Sequence, residues 1–382
     1  MTQIRTDLAL EAAENLQAGG PAAGGLSGVV TRTERRQGVS VTEVRILDET
    51  GARALGKPVG RYVTMELESQ PFSQQAACLA SLLAELLPRG PVLTAGIGNR
   101  DMTCDAIGPT AVDHLLVTRH LVRSGQEPFR GMGELSALCT EVLGRTGMET
   151  CELIRAAAGA VRPAAVVAVD ALAARSPRRL CRTVQLSDTG LIPGSGVGSH
   201  RTAVDRETVG VPVIAVGVPT VIDGAALGSG TEAAPQGLYV TPRDIDRQVR
   251  QLGRLLGYGI SLALQPGLTA EELAALGKQV FDEVKAANKA VWVKGSLVFH
   301  ILYQCEQSDG KISCLKGEIP FQEKLNIDGL QENGEVHAAG EIEDLTVGVI
   351  NSRKLSIRAV VVLRASAEEQ VLEEFTARLE LP

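Results

Sequence analysis

The sequence predicts an α/β protein whose mostly parallel sheet is flanked by helices, followed by a small, mostly β C-terminal module. Three observations lead there. Between Pro91 and Pro219, short runs of Val, Ile, Leu and Ala alternate with segments of helical period, the pattern of strands buried on both faces and joined by crossover helices. Beyond about Ala290 the apolar residues recur with period two, as in a half-buried antiparallel sheet. The length of 382 residues exceeds a usual single domain and accommodates one large and one small.

The elements follow in order. Residues 1–25 are a short amphipathic piece ending in QAGGPAAGG, a flexible joint by composition. From Gly28 to Glu68, VVTRTER, VSVTEVRIL and RYVTMELE alternate and read as strands, with DETGAR as a turn. A helix starts near Ser73, runs through AACLASLLAELL and is stopped by Pro88, Gly90 and Pro91. Then come the strand VLTAGIG, the loop NRDMTCDAIGP, a helix over VDHLLVTRHLV and, after a loop, the helix ETCELIRAAAGAV. The strand AAVVAV, ended by Asp170, leads through the peptide DALAARS to the strands TVQLSD and VPVIAVGVP. Two more helices are expected, over TPRDIDRQVRQLGRLLGYGISLAL with Thr241 as N-cap and over LTAEELAALGKQVFDEV. The C-terminal strands AVWVKGSLVFHILYQC, KISCLKGEIPF, GEIEDLTVGVI and KLSIRAVVVL turn at SDGK and NSRK, and AEEQVLEEFTARLE reads as a short helix.

Composition narrows the function. With 44% hydrophobic and 22% charged residues the chain is an ordinary folded protein. A formal charge of −7 and 3% aromatics disfavour non-specific nucleic-acid binding. Seven cysteines without a Cys-x-x-Cys pair suit a reducing compartment. No signal-peptide pattern or apolar run of roughly 18–20 residues is present, so a cytoplasmic protein without membrane contact is expected.

Ligands of open parallel sheets gather beyond the carboxyl ends of the strands. Two aspartates fall there: Asp105, in the loop after VLTAGIG, and Asp170, at the end of AAVVAV. Each alone reads equally well as a helix cap. As a pair they suggest catalysis, because two neighbouring carboxylates cannot both ionise cheaply: one keeps a proton and acts as acid while the other activates water. The glycine loops GIGN (Gly96, Gly98, Asn99) and PGSGVGS (Gly194, Gly196, Gly198) also follow strands and mark tight turns or close approach to a ligand. Neither is a phosphate motif. GARALGKP (Gly51 to Pro58) departs from a P-loop because Pro58 replaces the magnesium-binding hydroxyl. No G-x-S-x-G, H-E-x-x-H or cysteine-protease signature occurs. His114 and His120 fall on different faces of one expected helix. His200 is the histidine nearest the glycine loop, and a metal held by Asp105, Asp170 and His200 is chemically feasible, though the spacing does not call for one.

The stretches RTDLALEAAE (5–14), GIGNRDMTCDAIGP (96–109), LLVTRHL (115–121), GRTGMETCELIR (144–155), VVAVDALAARS (166–176), VQLSDTGLIPGSGVGSHR (184–201) and GVPVIAVGVPTVID (210–223) resemble the germination protease of spore-forming Firmicutes. The resemblance covers roughly residues 1–265. It implies a fold related to hydrogenase-maturation proteases and an endopeptidase, without a required cofactor, that degrades small acid-soluble spore proteins in the spore core during germination. The family's proposed catalytic aspartates fall on Asp105 and Asp170. Cys104 stands where relatives often have proline, which bears on loop rigidity.

The same resemblance implies a zymogen, typically a homotetramer, whose propeptide 1–7 is removed at Asp7–Leu8, within a sequence resembling the substrates' own Glu-(Phe/Ile)-Ala sites. It places a peptidase domain at 8–277. Residues 278–382 form the second module. Within it, roughly 288–365 resembles the repeated β domain of clostridial spore-envelope morphogenesis proteins and implies a spore-envelope protein as partner. Two other readings stay open at this point: a non-catalytic assembly protein, and a metallopeptidase using the same aspartates.

Overall fold

A computed structural model describes residues 6–18, 26–68, 70–125, 131–198, 201–227, 238–275, 279–287, 290–304, 312–326, 335–351 and 354–368. The chain divides into two compact units, Met1–Leu273 and Ala274–Pro382.

The first unit runs α1 (Ala9–Ala18), β1 (Val29–Arg36), β2 (Val39–Ile46), α2 (Glu49–Leu55), β3 (Gly60–Glu66), α3 (Phe72–Leu86), β4 (Val92–Ile97), α4 (Ile107–Asp113), α5 (Arg119–Arg123), β5 (Leu135–Glu141), α6 (Leu143–Thr146), α7 (Thr150–Val161), β6 (Ala165–Ala174), β7 (Thr183–Ser187), α8 (Arg206–Val209), β8 (Val213–Asp223), β9 (Tyr239–Val240) and α9 (Ile245–Leu264). The division between units falls inside α10 (Ala270–Ala275). The strands form one sheet in the order β1-β2-β3-β7-β8-β6-β4-β5, with β9 on β8. The run β8-β6-β4-β5 is parallel. Its antiparallel flank is β7, β3, β2 and β1.

The parallel centre follows from residues with no polar edge: every residue of β4 is buried, which requires cover on both faces. One face packs Leu93, Ala95, Ile97, Val166 and Ala168 against Ile154 and Ala158 of α7. On the other, α9 lies against α3 and α4. Here Gly253 and Gly257 present bare backbone to Thr110 and His114, where an added Cβ would lie 2.5 Å from the Thr110 Cγ2 and 2.8 Å from the His114 Cβ. A separate cluster of Ala9, Leu10 and Ala13 with Val44, Ile46 and Tyr62 seats α1.

Several expectations are corrected. DETGAR begins α2 instead of making a turn, because the Asp48 carboxylate accepts the N–H groups of Thr50 and Gly51 and Gly56 ends the helix at φ 64°. VDHLLVTRHLV does not form one helix: α4 stops at Asp113 and α5 begins at Arg119. Between them Thr118, fully buried, donates to the Gly133 carbonyl and accepts the Leu135 N–H, and the Leu116 N–H donates to Ser261. His114 and His120 therefore do not share a helix. The stretch expected as a loop before α7 contains β5, the edge strand of the parallel set. β6 continues through Asp170 to Ala174, so DALAARS is largely strand, held by pairing with β8 as far as Ala174–Ile222. α9 starts at Ile245 behind Asp244, and the Thr241 hydroxyl donates instead to the Thr220 carbonyl.

The second unit is antiparallel throughout: β10 (Gln279–Ala287), β11 (Ala290–Gln304) and β12 (Ile312–Asn326) form one sheet, and β13 (Glu335–Asn351) pairs with β14 (Lys354–Glu368). Alternation is visible in β11, where Val291 and Val293 are buried and Trp292 and Lys294 exposed. The helix expected over LTAEELAALGKQVFDEV is therefore cut short: only α10 is helical, and QVFDEV enters β10 because pairing with β11 overrides its helical composition. Most of QAGGPAAGG and AEEQVLEEFTARLE, the turn SDGK and residues 1–5 lie outside the described residues.

Candidate active site

β4 ends at Ile97, and the chain turns at once through Gly98 at φ 120°, where an added Cβ would stand 2.0 Å from the Asp105 carbonyl oxygen. Only glycine fits that corner. The turn brings the 3₁₀ segment Thr103–Asp105 back over the strand end. Its carboxylate is fixed at one oxygen, Asp105 Oδ2 accepting the Asn99 N–H at 2.7 Å. From β8, the buried Thr220 hydroxyl donates to the Cys104 carbonyl at 2.6 Å and ties the turn down.

Asp170 reaches the same place from the sheet itself. β6 pairs with β4 only as far as Val169, opposite Gly96, so Asp170 is the first residue of β6 past that pairing, level with the last residue of β4. It is 5% exposed, and its Oδ1 accepts the Ala171 N–H at 2.8 Å. Neither aspartate caps a helix: α4 has Ala106 at its N-cap without a side-chain bond, and Asp170 lies inside a strand. Burial pushes the Asp170 carboxyl well above the usual carboxylate range, and the charges of Asp105 and Asp7 push the same way against the Ala171 N–H. Burial also raises Asp105, with the Asn99 N–H opposing. The two carboxylates thus sit apart in character: one deep and proton-retaining, one half-buried and held by a donor.

Both line a cavity of about 420 Å³ with Gly98, Ala173, Gly194 and Gly196. Gly194 and Gly198, in left-handed conformation, flank the turn Ser195–Val197 that forms one wall. Of the expected loop residues, Gly98, Gly194 and Gly196 line the cavity, Asn99 contacts Asp105, Gly96 belongs to β4, and Gly198 only ends the turn. His200 lies outside the described residues, and among those described no cluster of three His, Cys, Asp or Glu side chains is arranged to hold a metal.

Comparison with known proteins bears on what the chain does. Residues 8–233 match the family model described as germination protease, and residues 273–350 match that of the SipL, SPOCS domain. Curated germination proteases are similar along most of their length. That of Caldanaerobacter subterraneus subsp. tengcongensis is 37% identical over 321 residues, covering 72% of this chain and 98% of the relative. That of Clostridium tetani is 33% identical over 318 residues, covering 71% and 98%. The chain belongs to the germination protease family. It is accordingly a peptidase of spore germination, acting on protein substrates, with a SPOCS domain fused behind it. Among solved structures, a [NiFe] hydrogenase maturation protease HycI from Thermococcus kodakarensis aligns over 47% of this chain and 98% of its own, at 16% identity and a TM-score of 0.29. No helix among the described residues is long and apolar enough to cross a membrane.

Three features of this germination protease's site were not foreseen from residue patterns. Asp7 lines the same cavity as Asp105 and Asp170. Glu141, at φ 55°, also lines it from the end of β5, 3.7 Å from the Arg145 guanidinium. Lys57, noted only within the near-P-loop GARALGKP, donates its Nζ to the Asp7 carbonyl at 2.9 Å. The signal for Glu141 lay in the unrecognised strand LSALCTE. For Lys57 and Asp7 the partners are 50 residues apart in sequence, and no local pattern joins them.

Proposed function

We propose that this germination protease is an endopeptidase of small acid-soluble spore proteins, made as a zymogen that loses residues 1–7 at Asp7–Leu8, and that Asp105 and Asp170 activate the attacking water. The observation that carries the reading is the pair of carboxylates on one cavity, Asp170 deeply buried and pushed by that burial well above the usual carboxylate range, Asp105 half-buried with one oxygen accepting the Asn99 N–H. In this scheme Asp105 takes the proton of the water as it attacks the scissile carbonyl. Asp170 donates its proton to the carbonyl oxygen or the leaving amine. The enzyme works in the forespore and spore core as a homotetramer, and residues 288–365 bind a spore-envelope protein. The last assignment rests on the match of the second unit to the SPOCS domain.

The test is intact-mass analysis of a small acid-soluble spore protein incubated with chelator and with wild type, Asp105→Asn or Asp170→Asn. Wild type is expected to cut it and to shorten itself at Asp7–Leu8, and each variant to lose about 10²–10⁴-fold in kcat, the usual size of an acid–base contribution. Activity lost on chelation and restored by a divalent metal would replace the dyad mechanism with a metallopeptidase. Full activity of either variant would remove that aspartate from the chemistry.

A further inference from the structure

Glu141 stands in the same row of strand ends as the two aspartates. It pairs with Ile97, the last residue of β4, and Asp170 lies level with Ile97 on the other side, on β6. The row therefore runs Asp170, Ile97, Glu141, with Asp105 folded back over its middle strand by the turn at Gly98. Two strand spacings separate Glu141 from Asp170, about 10 Å along the backbone row, a distance that an extended peptide covers in about three residues.

Three features set Glu141 apart from an ordinary residue at a strand end. The register between β4 and β5 passes from Cys139 to Glu141 and skips Thr140, the shift of a bulge, and bulges beside sites re-aim the side chains that follow. Glu141 takes φ 55°, a left-handed conformation that glycine adopts freely and a long side chain does not. Its Oε2 is buried without a hydrogen-bond partner. Backbone strain gathers at ligand sites, and a buried acceptor without a donor is unfavourable until a ligand supplies one.

The neighbouring cation does not supply it. Arg145 Nη1 lies 3.7 Å from Glu141 Oε2, beyond hydrogen-bond distance, because it donates to Asp101 Oδ2 and, at 3.4 Å, to Asn99 Oδ1. One positive charge is thus shared between two carboxylates. Among the described residues lining the cavity, Asp7, Asp105, Glu141 and Asp170 are acidic and Arg201 alone is basic. A cation entering beside Glu141 gains a charge-assisted bond to a desolvated oxygen in a negative field. The chain's own proposed processing site carries such a residue, Arg5, two positions before Asp7.

We propose that Glu141 is a specificity residue of the cleft, selecting a lysine or arginine side chain of the protein substrate within about three residues of the cleaved bond, with Arg145 as the weaker competitor for the same carboxylate. The proposal rests on the reading of this cavity as the place of cleavage and adds what the cleft selects beside the bond.

The probe is the labelled peptide of residues 1–14, which spans Asp7–Leu8, carrying Arg5→Gln and then Lys or Gln in turn at positions 4, 5, 6, 8, 9 and 10. The full chain is used as purified and after release of residues 1–7 at an inserted protease site. Cleavage gives kcat/KM, and fluorescence anisotropy with Asp170→Asn reads binding independently of turnover. At one position Lys is expected to exceed Gln about fivefold in both measurements, the size of one partly exposed ion pair. Glu141→Gln should bring the two peptides within about twofold, and Arg145→Met should widen the gap. Glu141→Gly should also abolish the preference and unfold at no lower urea concentration than wild type, since glycine takes φ 55° without strain. Absence of any position favouring Lys, or a preference that survives Glu141→Gln, overturns the proposal. So does a lowered urea midpoint for Glu141→Gly, which would make Glu141 a structural part of the β5 end. If Lys improves binding through Glu141 and nothing is cut, the cleavage reading fails while the cation site stands.

Discussion

At Asp170 the fold displaces a titration from its unfolded value. An aspartate in the unfolded chain gives up its proton near 3.8, whereas burial and two neighbouring carboxylates keep Asp170 protonated well above that. Between the two values the folded chain binds the extra proton, so stability that is whole below 3.8 falls as pH rises and levels off once the raised value is passed. Within that window the slope is about 1.4 kcal/mol per pH unit. Asp170→Asn does not titrate, and its amide oxygen can still accept the Ala171 N–H. Urea unfolding from pH 4 to 8 should therefore show the variant gaining on wild type as pH rises, starting just above pH 4. A difference that stays flat across the series would mean that Asp170 ionises as readily folded as unfolded. The position of this residue was legible in the sequence because a lone carboxylate after AAVVAV breaks an apolar run. Its surroundings were not, since Asp7 lies far away in sequence and meets it only through the fold.

α1 shows how one side chain can fix an element. Glu11, 3% exposed, accepts the N–H groups of Arg175 and Ser176 at 2.7 and 2.8 Å, just where β6 ends. Glu14 adds a two-pronged pair with Arg179. Glu11→Ala leaves two backbone donors without their acceptor and should cost about 2–4 kcal/mol in urea unfolding. Glu11→Gln keeps one accepting oxygen and should cost less than half as much. Hydrogen exchange at Arg175 and Ser176 should quicken in the same order, and equal exchange in all three chains would show that α1 is held by its apolar face alone. Elements carrying their own signals were readable: α3 between Phe72 and the prolines after Leu86, α7, and the buried runs of β4, β6 and β8. The unreadable ones depended on partners. β5 becomes a strand by lying beside β4, β10 by pairing with β11 against its composition, and the 114–118 stretch leaves the helix where Thr118 and Ser261 take its hydrogen bonds. α2 carried its own signals in Asp48 and Gly56, a cap at each end of ETGARAL.

Across the whole molecule, the candidate site and the core that supports it belong to the first unit. Both aspartates, the glycine turns and the donors around Asp7 lie between residues 7 and 220, and the clusters behind them draw on residues 9 to 213 with those packed against them. Among the described residues, the strands of the second unit pair with one another. A domain with a closed core is expected to fold alone. A chain ending after Ala275, which keeps α10 entire, should therefore unfold within about 3 °C of the corresponding transition in the full chain, a shift equal to roughly 1 kcal/mol for a domain of this size. Its kcat/KM on a protein substrate in free solution should stay within twofold of the full chain. Retained stability with lost cleavage would assign residues beyond 275 to substrate handling. A fall of several degrees would instead show that the α/β core is completed from the second unit, and would count against treating the two as separate bodies.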